Sequence, residues 1–263
     1  MRVGLDIDDG LAQLTLRRGE AGNAIDLDMA RALLDAARTC AAEGVRAVLL
    51  TGEGKSFCVG GDLREFSRLS GAALEQHLTA VTDALHDALR TLAAGDAPVV
   101  AAVQGAVAGA GLGLAASADV TLAADTASFT AAYTGIGYSP DAGVSWFLPR
   151  LVGPKRALDL LLTNRRVLAA EAADIGLVSR VVAPDRLAAE AVHTAGALRR
   201  GPTAAFGATR RLVAAGLTDG LGPHLDREAR AIAAAAASET GREGVAAFLG
   251  KRPPDFPPPA PGG

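Results

Sequence analysis

Residues 98–117, PVVAAVQGAVAGAGLGLAAS, carry the pattern on which the fold turns. Pro98 to Val103 is an apolar run of strand length, which suits a strand buried on both faces. Glycines then punctuate the chain, and Gly109 to Ser117 reads as a helix of small residues. A second apolar run, Val120 to Ala123, follows it. The same order occurs upstream. Leu11 to Leu16 alternates apolar and polar residues with the period of a half-buried strand, and Val45 to Leu50 is a near-continuous apolar run. Between them Asp26 to Glu43 has helical spacing, with Asp26 placed to cap its start and Gly44 to stop it. Strands alternating with helices over the first two-thirds define an α/β domain.

Beyond Gly153-Pro154 the pattern becomes helical, at Lys155 to Thr163, Ala169 to Ile175, Arg186 to Arg199, Thr203 to Ala215 and Leu221 to Ala237, with a short strand at Leu177 to Val182. A last helix is expected over Arg242 to Leu249, then an extended tail, PPPAPGG. The organisation expected is a core over residues 1–200 and a helical C-terminal region with a proline-rich tail over 201–263.

Composition narrows the function classes. The 263 residues are 49% hydrophobic, enough for a sizeable core, and a net charge of −3 supplies no global attraction for nucleic acid or anionic lipid. No apolar run reaches the roughly 18 residues of a membrane span, and the start of the chain lacks a secretory pattern. Two cysteines, Cys40 and Cys58, make no disulfide framework and no metal-ligand spacing. A cytoplasmic protein with no metal is expected.

Two segments place glycines at strand-to-helix junctions, Ser56 to Leu63 (SFCVGGDL) and Gly105 to Gly113 (GAVAGAGLG). Both can present bare backbone N–H groups, and a helix starting near Gly109 aims its free amides and positive dipole end at a developing negative charge. A thioester carbonyl becoming an enolate is such a charge. A dinucleotide loop fits poorly, because the third glycine falls at Gly113 and no acidic residue ends a second strand about 20 residues on.

With these segments and three later ones, PDAGVSWFLPRLVG (140–153), AAEAADIGLVSRVV (169–182) and EGVAAFLGKRPPDF (243–256), the chain resembles the enoyl-CoA hydratase/isomerase (crotonase) family almost end to end. The resemblance implies a crotonase-like spiral of β-β-α units with a helical C-terminal region that forms trimers, often paired into hexamers. It implies an acyl-CoA substrate with no separate cofactor, and backbone N–H groups of Val59 and Ala110 as the oxyanion donors. Ala24, Cys58, Gly60, Gly61, Asp62, Leu63, Gly109, Gly113, Tyr133, Tyr138 and Trp146 are the expected substrate-binding positions. The basic residues Arg17, Arg18, Arg64, Lys251 and Arg252 are candidates for the coenzyme phosphates, though each taken singly reads more readily as solvated surface.

Hydratases of this family use two glutamates, and the matching positions here are Gly113 and Tyr133. Asp141 lies eight residues after Tyr133, where isomerases of the family carry an aspartate that resembles it. One carboxylate suffices for an allylic shift, since it can remove a proton from C2 and return it to C4. Asp141 could instead cap a helix starting near Ala142. His77 and His86 fall on the polar side of a helix, and His193 and His224 stand apart, so solvated or capping roles are expected. Leu74 to Ala94 holds Glu75, Asp83 and Asp87 against Arg90, which disfavours nucleic acid. The reading is an isomerase. A 2-enoyl-CoA hydratase using another acid, or an inert acyl-CoA-binding homologue, stays open.

Overall fold

The computed structural model describes residues 1–257; the expected tail lies almost wholly outside the described residues. The chain opens with a hairpin in which β1 (Val3–Asp8) pairs antiparallel with β2 (Leu11–Leu16) around Asp9-Gly10, both at positive φ. The sequence pattern predicts no strand before Leu11, yet Leu5 and Ile7 alternate with exposed Asp6 and Asp8 as an edge strand requires. Helix α1 (Leu27–Ala42) starts where Asp26 accepts the Met29 N–H at 2.8 Å, and it stops before Gly44 at φ +63°.

The chain continues through β3 (Ala47–Gly52), α2 (Leu63–Phe66), α3 (Gly71–Ala94), β4 (Val99–Val103), β5 (Ala106–Ala108), α4 (Ala110–Ser117), β6 (Val120–Ala124) and β7 (Ser128–Thr130). Then come α5 (Val144–Val152), α6 (Pro154–Thr163), β8 (Val167–Leu168), α7 (Ala169–Asp174), β9 (Arg180–Val182) and α8 (Leu187–Arg199). Helices α9 (Thr203–Gly216), α10 (Leu221–Ala237) and α11 (Glu239–Leu249) complete it. The last helix begins three residues before the expected Arg242, because Ser238 caps it through the Gly241 N–H. Strand β9 starts at Arg180 rather than Leu177.

Strands β1-β2-β3-β4-β6-β9 form one sheet, parallel from β2 onward, and β5-β7-β8 form a smaller one. Each turn of the spiral leaves the large sheet, adds to the small one and returns. After β3 the addition is a single residue, Cys58, bridged to Val107; after β4 and β6 it is β5 and β7. Alternation along the strands then decides which side chains go where. Val48, Leu50, Ala101 and Val103 join α1, α3 and α4 in the main core, while Leu49, Val100, Ala102 and Leu122 pack against Leu187, Ala191 and Ala195 of α8.

The C-terminal helices are attached through a side chain that is mostly covered. Arg210 of α9 pairs with Asp119 at 2.8 Å and donates to the carbonyls of Leu92, in the last turn of α3, and of Gly95 and Ala97 just beyond it. Arg211 reaches Asp96 at 2.6 Å. Replacing Arg210 with methionine keeps the stem but strands those carbonyls, so a loss of about 1–3 kcal/mol is expected. Urea unfolding followed by circular dichroism should show the midpoint falling with little change in slope.

Candidate active site

The first glycine-bearing segment is shaped by one buried amide side chain. Asn23, fully buried at φ +55°, places Nδ2 2.9 Å from the carbonyls of Glu53, Ser56 and Phe57, and its Oδ1 accepts the Arg18 N–H at 2.8 Å. Its own carbonyl accepts from the Cys58 thiol. A loop whose carbonyls all converge on one donor group has little freedom to move.

Behind that loop Arg18 bonds the Ala24 carbonyl at 2.8 Å, Asp26 at 3.2 Å and Asp62 at 2.6 Å, with Arg2 a second partner of Asp26. Asp62 also caps α2, accepting the N–H groups of Arg64 and Glu65. Burial pushes the Asp62 carboxyl up, but the Arg18 hydrogen bond and the two amides outweigh it and hold the group below the usual carboxylate range. Arg18 is therefore committed to structure rather than to a coenzyme phosphate. Arg252 is committed likewise, bidentate to Glu243 at 2.6 and 2.8 Å. Oxygens of Asp26, Asp62 and Glu65 come within 4.8 Å of one another, and the Arg18 guanidinium already supplies positive charge to the first two.

The geometry moves one expected oxyanion donor. The Val59 N–H donates to the Gly22 carbonyl at 3.0 Å and so is spent within the fold. Ile25 instead bridges in parallel to Gly61: its N–H donates to the Gly60 carbonyl at 2.8 Å and its carbonyl accepts the Asp62 N–H at 2.9 Å. In a parallel bridge the residue between those two bonds turns its own amide to the opposite side. Facing it is the start of α4, where Gly109 at φ +53° donates to Thr130 and leaves Ala110 as the first helical residue, with no intrahelical acceptor. Gly60 at φ +99° makes the approach possible, since a Cβ there would lie 3.1 Å from the Ala108 carbonyl and 3.3 Å from the Gly109 Cα. The amides of Gly61 and Ala110 have no hydrogen-bond partner among the described residues.

Both residues border a cavity of about 110 Å³. Its walls include Val59, Gly60, Leu63 and Gly109 from the glycine-bearing segments, Leu78 and Leu85 from α3, and Tyr133, Tyr138 and Asp141 from the loop before α5. Leu78, Thr82, Tyr138 and Asp141 also line an open groove of about 530 Å³ that leads outward between α3 and that loop. Tyr133 Oη donates to Asp141 Oδ1 at 2.7 Å. Burial, reinforced by the Asp141 charge, pushes the Tyr133 phenol far above its ordinary value, so it stays protonated and acts as a donor. Asp141 does not cap a helix. Helix α5 begins at Val144 after Gly143, without a side-chain cap.

Several expected binding residues support the wall from behind. Ala24 gives its carbonyl to Arg18. Cys58 is buried beneath α4, and burial pushes its thiol up to about 12, which removes it as a nucleophile. Trp146 points away from the cavity, edge-on to Phe147 and stacked by Arg150 at 3.9 Å. Gly113 packs against the Asp141-Ala142 turn so closely that a Cβ would lie 2.3 Å from the Ala142 carbonyl oxygen. No glutamate fits there without displacing that turn. Sequence reasoning also missed His86, whose Nε2 accepts the Ala142 N–H at 3.0 Å; nothing in its helical spacing marks a partner 56 residues away.

The family model for enoyl-CoA hydratase/isomerase matches residues 6–258. The chain belongs to the enoyl-CoA hydratase/isomerase family. It is 42% identical over 256 residues to a Rhodobacter capsulatus protein named "probable enoyl-CoA hydratase", covering 95% of this chain and 96% of that one. It is 34% identical over 252 residues to the 1,2-epoxyphenylacetyl-CoA isomerase of Escherichia coli, with coverage of 95% and 96%. Among solved structures, the enoyl-CoA hydratase of Bacillus anthracis superposes with a TM-score of 0.91 at 28% identity, covering all of both chains. An enoyl-CoA hydratase of a Polaromonas species gives 0.90 at 32%, over 97% of this chain and 99% of that one. The architecture is thus the crotonase fold of this enzyme family, with the C-terminal helices present.

Two outcomes follow from this packing. Gly113→Ala should cost about 1–3 kcal/mol through overpacking against Ala142, read as a lowered thermal midpoint. Iodoacetamide at pH 7.5 should leave Cys58 and Cys40 unmodified in the folded protein, because burial holds both thiols protonated, at about 12 and about 11, and out of reach. Mass spectrometry before and after denaturation reads this directly.

Proposed function

We propose that this member of the family isomerises an acyl-CoA thioester, moving a double bond from the 3 to the 2 position or rearranging a ring-derived acyl group. The observation that carries the reading is that Asp141 is the one carboxylate among the described residues that line the cavity, and it is oriented by Tyr133. In the proposed cycle the thioester oxygen accepts hydrogen bonds from Gly61 and Ala110. Asp141 takes the proton from C2, the electron pair moves through C3, and the same proton is returned to C4. Tyr133 occupies Oδ1 throughout, which leaves Oδ2 for the substrate.

Each backbone donor of this kind contributes about 10²–10³ in rate, and a positioned base about 10²–10⁴. Together they carry the chemistry without a metal or separate cofactor. The name of the Escherichia coli relative supports a ring-bearing thioester as one substrate to try. The name of the Rhodobacter capsulatus relative favours a second reading, hydration of a 2-enoyl-CoA. Hydration needs one group to activate water and another to protonate C2, and a second carboxylate does not line this cavity. Separate incubations with 3-enoyl-CoA and 2-enoyl-CoA distinguish the two readings; an inert acyl-CoA-binding homologue would turn over neither.

The same reading includes a homotrimer or a pair of trimers, located in the cytoplasm. It is supported by the C-terminal helices, where α10 buries no residue and Leu221, Ile232 and Phe248 are 75%, 71% and 83% exposed. No helix of the described residues is long and apolar enough to cross a membrane.

Asp141→Asn should lower isomerase turnover by about 10²–10⁴ while acyl-CoA affinity and thermal stability change little. Exchange of the C2 proton of a saturated thioester in deuterated buffer isolates the abstraction step, and a wild-type rate in the variant would assign the base elsewhere. Sedimentation at micromolar concentration should give a trimer or hexamer, and a monomer would refute the assembly.

A further inference from the structure

The carboxylate assigned as the proton shuttle sits on a turn that is gripped from three sides. Ala142, fully buried, is held at φ +48°, a left-handed conformation that a residue with a Cβ adopts at a cost. The Asp141 carbonyl accepts the Val144 N–H at 2.9 Å. On the far side the Ala142 carbonyl and methyl abut Gly113 of α4. The remaining polar group of the turn, the Ala142 N–H, is met from α3 by His86 Nε2 at 3.0 Å. The donor there is an amide, so Nε2 must be unprotonated and the ring proton resides on Nδ1.

Helix α3 therefore does two things at once. Leu78, Thr82 and Leu85 form one wall of the cavity, and the residue after Leu85 holds the backbone that carries Asp141. We propose that His86 is a positioning residue for proton transfer, acting through the Ala142 amide to fix where the Asp141 carboxylate lies relative to the Gly61 and Ala110 amides; this rests on Asp141 being the shuttle. Tyr133 sets the rotation of the carboxylate, and His86 sets the location of the backbone beneath it. Remove the acceptor, and a buried amide loses its partner in a conformation that alanine disfavours. The turn then relaxes, and a carboxylate displaced by about 1 Å loses on the order of a hundredfold in rate without losing the substrate.

The test compares His86→Leu, which fills space but accepts no hydrogen bond, with His86→Gln, whose side-chain oxygen reaches the position of Nε2. Full-length protein is assayed with 3-enoyl-CoA, and amide exchange at Ala142 is followed by mass spectrometry on the same samples. His86→Leu should lose tenfold to a hundredfold in kcat, keep KM within about threefold, and exchange the Ala142 amide faster. His86→Gln should recover most of both. If His86→Leu does not fold, His86→Ala takes its place in the same comparison. Wild-type kcat in His86→Leu while Asp141→Asn is inactive overturns the role of His86 and leaves the shuttle intact. Equal losses in the Leu and Gln variants with unchanged exchange at Ala142 overturn it in favour of simple packing. Full activity in Asp141→Asn removes the shuttle itself, and the positioning role with it.

Discussion

Two backbones meet at Gly60 and Gly109 with no side chain between them, and the working parts of the molecule are arranged around that approach. A Cβ at either position would lie 3.3 Å from the other glycine's Cα, so the two chains would have to part slightly to admit it. The consequence is that bare amides from two distant segments, Gly61 and Ala110, open on one cavity. Because one of them begins a helix, its free N–H is a property of the helix end and not of any side chain. The spiral serves this contact. Each turn delivers a strand to the large sheet and a shorter stretch to the small one, so segments some 50 residues apart in the chain become neighbours.

A polar scaffold keeps the contact rigid. Asn23 collects three carbonyls of the first loop, and Arg18 ties Asp62 and Asp26 to the backbone that leads into it. These groups are buried, so each would be expensive to leave unpaired, and together they hold the loop in one conformation. Arg18, read from the sequence as a phosphate candidate, turns out to be an internal strut. An acidic protein thus employs part of its positive charge on its own carboxylates.

Much of this was legible beforehand. The strand over residues 98–103, the small-residue helix after it and the Asp26 cap are local patterns, and local patterns survive folding. That Asp141 borders the cavity was legible too, from the aspartate that isomerases of the family carry at a similar place. The wrong donor, Val59, shows the limit: amides at adjacent residues differ only in which side of the strand they face, and that is decided by the pairing of Ile25 with Gly61. Trp146 and His86 mark the same limit from opposite directions. An aromatic residue near the loop turns outward onto Arg150, while a histidine set aside as solvated reaches inward to a backbone 56 residues away. Periodicity assigns a side chain to a face, but the partner on that face comes from topology.

The contact between Gly113 and Ala142 also bears on how such an enzyme can change over generations. With glycine at 113, the turn bearing Asp141 occupies the volume that a longer side chain would need. A single substitution to glutamate meets that turn before it meets any substrate. Placing a second acid there requires the loop to withdraw first, and withdrawal carries Asp141 away from the cavity it lines. The order of steps matters, and the direct route is closed in one direction, so the packing of two small residues acts as a ratchet between related chemistries.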